Sequence, residues 1–142
     1  MVMCANEVTF TRVGEGSYHV PFDYGQMKDI NIENIWENNF GNIRLLMASA
    51  LMCISESFEW ELDFLKKGAR YNSLDSKIHW RFGKDESGRR IIERISIDIN
   101  LTVPDELQEM HEKVLNEHLN NGCTITRSLK RGIPIELRIN EK

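Results

Sequence analysis

Residues Gly41 to Gly68, GNIRLLMASALMCISESFEWELDFLKKG, constrain this chain more than any other stretch. From Ile43 to Ile54 nearly every residue is apolar or small, with Arg44 and Ser49 as exceptions. The stretch has no proline and no internal glycine, and Leu, Met and Ala are among the best helix formers. After Ser55, acids at Glu56, Glu59, Glu61 and Asp63 interleave with apolar residues, and the run closes on Lys66-Lys67-Gly68, a helix-stop pattern. The spacing therefore predicts one helix of about 26 residues, roughly 39 Å long. Its first half is apolar on all sides and must be surrounded. It is too short for a membrane span, which needs about 18 apolar residues or more.

The remaining elements follow in order. Glu7–Arg12 and Ser17–Asp23 alternate in polarity around Val13-Gly14-Glu15-Gly16, which predicts a hairpin. In that register Arg12 shares a face with Val8 and Phe10. Either it meets an anion there, or the strand has ended and the side chain reaches solvent. Residues 29–40 read as a short strand and turn or as an extra helical turn, with Asn42 as the N-cap of the long helix. Residues 77–82 place Ile78, Trp80 and Phe82 on one face and His79 on the other. After a turn at Asp85–Gly88, residues 91–103 carry Ile91, Ile95, Ile97, Ile99, Leu101 and Val103 at odd positions, with Glu93 as the one break. This pattern is a half-buried antiparallel strand.

Pro104-Asp105-Glu106 opens a second helix with an apolar stripe at Leu107, Met110, Val114, Leu115 and Leu119. His111 and His118 lie on this helix without a third ligand at metal-binding spacing. Cys123–Leu129 is a short helix begun after Gly122, and residues 133–139 form a closing strand with Ile133, Ile135, Leu137 and Ile139 inward. The fold class is α+β, in a single domain over residues 1–142. An antiparallel sheet cannot by itself enclose a helix that is apolar all round, so the chain is expected to form a homodimer with the long helices near the shared axis.

Composition narrows the function. A net charge of −4 supplies no basic face for nucleic acid. MVMCANEVTF lacks the charged and apolar regions of a signal peptide. Three cysteines, an odd number without secretory context, point to a reducing cytoplasm. No cofactor or metal is expected, and no membrane partner.

The chemistry rests on Cys53 and Cys123, seventy residues apart, while Cys4 belongs to no motif. Cys123 sits at a helix N-terminus, where the partial positive charge favours thiolate. Cys53 is mid-helix among Leu51, Met52 and Ile54, where burial raises a thiol pKa unless a cation is close. Local physics thus ranks Cys123 as the more reactive.

Leu45-Leu46-Met47-Ala48-Ser49-Ala50-Leu51-Met52-Cys53 resembles the LL-x-A-x-A-x-C opening of the central helix in OsmC-like proteins, the group that includes the organic hydroperoxide resistance enzymes. Gly122-Cys123-Thr124-Ile125-Thr126-Arg127-Ser128-Leu129 resembles that family's C-P-[VI]-S-x-x-L segment. The likeness covers most of residues 40–140. It implies antiparallel sheets with a long central helix, an intertwined homodimer, and thiol-based reduction of peroxides, organic hydroperoxides above all. By position Cys53 matches the peroxidatic cysteine and Cys123 the resolving one, reversing the local ranking. Arg12 best matches the family's activating arginine. The implied partners are a peroxide and an external dithiol of lipoyl or thioredoxin type, in an oxidative stress response.

Two positions depart from the family's pattern. Ile43 stands where the hydroperoxide resistance enzymes carry an arginine-pairing glutamate, and Thr124 stands where a proline is usual. Glu56 or Glu59 could replace the missing acid, or could simply begin the helix's solvated half. Besides the peroxidase, a catalytically silent dimeric scaffold and a transient-disulfide redox sensor stay open.

Overall fold

A computed structural model describes residues 8–9, 11–21, 29–33 and 41–139. The expectations for Cys4, Glu7, Phe10, Phe22 and residues 34–40 lie outside the described residues. The chain falls into two compact units, Met1–Ile43 and Arg44–Lys142. In the first, β1 (Thr11–Gly14), β2 (Ser17–Val20) and β3 (Ile30–Ile32) form a three-stranded antiparallel sheet. Arg12 pairs with Tyr18 in register, and its residue is exposed. The ambiguous stretch after Asp29 thus begins as a strand.

α1 runs from Gly41 to Leu65, 25 residues. Asn42 lies inside it rather than capping it, and its carboxamide oxygen accepts the Ile43 N–H at 2.9 Å. Lys66 and Lys67 follow the last helical residue instead of occupying the last turn. Met47, Ala50, Phe58 and Leu62 are buried along one stripe, at the three- and four-residue intervals of a helix face. The described residues of one chain do not supply the surrounding expected for the first half, because Leu45, Leu46 and Met52 remain 48%, 40% and 48% exposed.

β4 (Ser73–Lys84) and β5 (Arg90–Thr102) form a two-stranded antiparallel ribbon. Ile78 pairs with Ile97 and Trp80 with Ile95. Arg81 pairs with Arg94 but Phe82 pairs with Ile92, which leaves Glu93 as the extra residue of a β-bulge. The bulge changes the parity, so Ile92 turns inward and Ile91, expected on the inner face, is exposed. Glu93 folds back to accept a bond from Arg81 Nε at 2.9 Å. Gly83 leaves it room, since a Cβ there would stand 3.0 Å from the Glu93 Cβ.

A short 3₁₀ turn, Asp105–Leu107, precedes α2 (Gln108–Asn120). Pro104 stays outside the helix with extended backbone. The buried face of this segment is Leu107, His111, Val114 and His118, whereas Leu115 and Leu119 are exposed. The expected apolar stripe is therefore rotated toward the histidines. One nitrogen of each ring is bonded, while among the described residues His118 Nε2 is buried without a hydrogen-bond partner. Tyr71 Oη bonds His111 Nδ1 at 3.1 Å, and His118 Nδ1 donates to the Val114 carbonyl at 2.9 Å. Phe58 stacks on His118 with centroids 4.0 Å apart. Burial, with help from the Glu61 carboxylate, pushes the Tyr71 phenol up to about 12.

Phe58, Leu62, Ala69, Leu107 and Val114 form the core, with Ile54, Leu74, Ile99, Leu101, Val103 and Met110 packed around it. Complete burial of Leu62 stabilises by roughly 1.5–3 kcal/mol. α3 (Thr124–Arg131) follows Gly122. Residues 132–139 form no strand, contrary to expectation: Ile135 is 91% exposed and Leu137 81%. Their alternation fits a strand, but none of the described strands pairs with them. Among the described residues, no helix is long and apolar enough to cross a membrane, and no group of three His, Cys, Asp or Glu could hold a metal ion.

Candidate active site

The core fixes α1 against the ribbon, and Ser55 Oγ lies 3.4 Å from Ser76 Oγ on β4. Cys53, two residues earlier, is half-buried and faces the start of α3. There Cys123 is the N-cap, in extended conformation, and its Sγ accepts the Thr126 N–H. The Thr126 side chain returns the bond, accepting the Cys123 N–H at 3.2 Å, with its Oγ1 also 3.1 Å from Cys123 Sγ. This is a capping box in which sulfur takes the place of the usual oxygen.

Both thiols are free, and each acts on the other's ionisation. Their electrostatics differ in sign. For Cys123, burial pushes the pKa up, but bonds from the Thr126 hydroxyl and amide, from Cys53 and from the Ile125 amide together pull it below the ordinary 9.0. Cys53 moves above that value: burial raises it, Cys123 and the Glu56 carboxylate raise it further, and only the Ile125 N–H opposes them. One amide thus serves two sulfurs, which is the contribution of the helix N-terminus.

The thiols open into a cleft of about 560 Å³ in the second unit, which Cys53, Cys123 and Thr124 line together with Glu56, Glu59, Trp60, Asp63 and Arg70. Among the described residues Arg70 is the one cation lining it, and it is paired with Asp63. The same carboxylate accepts the Gly68 N–H at 3.0 Å, and the two bonds hold it below the usual carboxylate range. Trp60 and Phe64 stack with centroids 6.4 Å apart on the exposed side of α1.

The OsmC-like protein family model matches residues 40–138. The chain belongs to the OsmC-like family. A hypothetical protein from Aquifex aeolicus VF5 has a similar fold, with a TM-score of 0.58 at 19% identity over 91% of this chain and 89% of that one. No curated protein matches this chain. The mixture of helices and antiparallel sheet agrees with the OsmC-like fold.

Among the residues singled out from sequence, Cys53, Cys123, Glu56 and Glu59 line this one cleft of the OsmC-like chain. Glu56 acts against Cys53 ionisation, while Glu59 acts on Arg70. Arg12 lies on β1 of the first unit. Sequence reasoning missed three contributors. Asp63 reads only as one of the acids interleaved along the helix, and Arg70 lies beyond the helix stop. Thr126 stands three residues after Cys123, the spacing of a capping box, here with a cysteine as the cap.

Proposed function

We propose that this protein is a thiol-dependent peroxidase, reducing organic hydroperoxides preferentially and hydrogen peroxide as well, by way of a Cys53–Cys123 disulfide. One observation carries the reading: two free thiols line the same cleft and act on each other's ionisation. Cys53 attacks the O–O bond, becomes a sulfenic acid and releases an alcohol. Cys123 condenses with it, and an external dithiol restores the pair. Cys53, on the more exposed side of the pair, is the thiol better placed for an incoming peroxide. Arg12 keeps the part that the resemblance gives it, steadying the thiolate and the peroxide.

The working unit in this reading is a cytoplasmic homodimer. Its support is the apolar surface left open in one chain: Leu45, Leu46 and Met52 on α1, and Ile133, Ile135, Leu137 and Ile139 beyond α3. A sedimentation measurement returning a monomer would remove this part.

The test of the chemistry is turnover of tert-butyl hydroperoxide with dithiothreitol. Cys53→Ser is expected to abolish it, and Cys123→Ser to leave a sulfenic acid on Cys53 that dimedone traps. A sulfenic acid on Cys123 instead would reverse the roles. No consumption by the wild-type protein would end the peroxidase reading. Oxidation limited to a single turnover in the presence of dithiol would favour the redox sensor.

A further inference from the structure

A second cavity in the same unit, of about 670 Å³, is lined by Ile95, Ile97, Ile99 and Leu101 of β5 and by Ile54 and Phe58 of α1, and neither Cys53 nor Cys123 lines it. Protein interiors hold few voids larger than a water molecule, whereas this volume falls within the range of ligand sites, roughly 300–1,000 Å³. It adjoins a space of about 440 Å³ that shares Ile95, Ile97, Thr126 and Lys130 with it and extends to Ile92 and Ala50. From Ile92 to Leu101 the strand rises roughly 30 Å at about 3.3 Å per residue. The two spaces thus form one long groove along β5, the shape of an extended chain. Leu115 and Leu119 of α2, 38% and 72% exposed, also border it, so these leucines face an apolar space as well as solvent.

One group in this apolar wall lacks what it needs. His118 lines the cavity, and its side chain is only 4% exposed. Its Nδ1 donates to the Val114 carbonyl at 2.9 Å and lies 3.4 Å from the Glu61 carboxylate, two acceptors that hold the ring proton on that nitrogen. In the neutral ring Nε2 is then an acceptor, and among the described residues it is buried with no donor. An unmet buried acceptor is costly, so a ligand that brings it a hydrogen is bound the more tightly. A lone water suits such walls poorly, because it needs about two to four polar partners. A hydroxyl on an aliphatic chain supplies the hydrogen, while its methylenes cover the isoleucines of β5. Phe58, stacked on the imidazole with centroids 4.0 Å apart, holds the ring in place beforehand. We propose that this groove is a second binding site, taking a single-chain aliphatic alcohol whose hydroxyl donates to His118 Nε2 and whose chain lies along β5. This goes beyond the peroxidase reading and does not depend on it.

The experiment is a calorimetric titration of the reduced full-length protein with decanol and with decyl methyl ether, which carries the same chain but has no hydrogen to donate. Decanol is expected to bind once per chain and the ether about tenfold more weakly, the worth of one buried hydrogen bond. Shortening the alcohol by a methylene should weaken binding about fourfold. His118→Phe keeps an aromatic ring against Phe58 and should bring the alcohol and ether affinities together. Nitrogen NMR of the wild-type imidazoles guards against a folding defect in that variant: decanol should shift the His118 Nε2 resonance and the ether should not. Equal affinities for alcohol and ether in the wild type, with an unmoved Nε2 resonance, would overturn the assignment to His118. Decanoate binding more tightly than decanol would place the polar end at Lys130 and overturn it too. If neither decanol nor the ether binds, the site itself falls, and the groove is covered by protein instead.

Discussion

Cys53 in the middle of α1 and Cys123 at the start of α3 line one cleft in opposite settings. The α1 backbone around Cys53 has spent its amides on its own helix, so any donor must come from another element, and one does, the Ile125 N–H. The α3 amides near Cys123 have no partner within their helix, and the sulfur accepts one of them directly. The same side chain is therefore pushed in two directions by its position along a helix.

The contrast can be broken most forcefully at Gly122. Its φ of 67° opposes a side chain, and so does the Thr126 hydroxyl, 3.0 Å from where a Cβ would stand. Gly122→Ala is expected to cost about 1–2 kcal/mol of stability in a denaturant titration and to raise the Cys123 pKa toward that of Cys53. An alanine variant with wild-type stability and an unmoved Cys123 titration would show that the cap does not set the difference.

pH offers a subtler separation. The Cys123 pKa is depressed on folding, so its stabilising contribution is present above the ordinary thiol value and lost as pH falls through the folded one. That of Cys53 is raised, so its contribution is present below the ordinary value and lost as pH rises through the folded one. Reduced Cys123→Ser should then lack a gain in Tm on approaching the ordinary thiol value of 9.0 from below, and reduced Cys53→Ser should lack a loss above it. Parallel Tm profiles for the two variants would contradict the opposite shifts. The smallest effect belongs to Glu56→Gln. Removing a charge that opposes Cys53 ionisation should raise its alkylation rate about twofold near neutral pH, through a solvent-screened interaction; an unchanged rate would take Glu56 out of the account.

Much of this was legible in the chain. Composition and the stop signal located α1 to within a few residues, and polarity alternation found both strands of the ribbon. Gly122 followed by Cys123 announced a helix start. What periodicity could not deliver was anything decided across elements. The odd-position rule failed at Ile91 because the extra residue at Glu93 is visible only once the partner strand is present. His111 and His118 turn inward because Tyr71, Phe58 and the Val114 carbonyl receive them, so Leu115 and Leu119, better hydrophobes, stay outside. Ile133 to Ile139 have a strand's alternation and no described strand to pair with, and alternation by itself does not supply a partner. In the cleft, the Arg70–Asp63 pair is fixed by how the chain leaves α1, which side-chain spacing along the helix does not report.

The bulge at Glu93 bears on which length changes the ribbon can absorb. Deleting Glu93 would leave every observed pairing from Phe82–Ile92 through Ser73–Thr102 in step, because that residue has no opposite number. Removing one residue anywhere from Ile95 to Leu101 would instead exchange the inner and outer faces of everything on one side of the cut. Insertions and deletions among natural variants of this strand should accordingly collect at a single position, the one place where the ribbon can lose a residue without turning itself over.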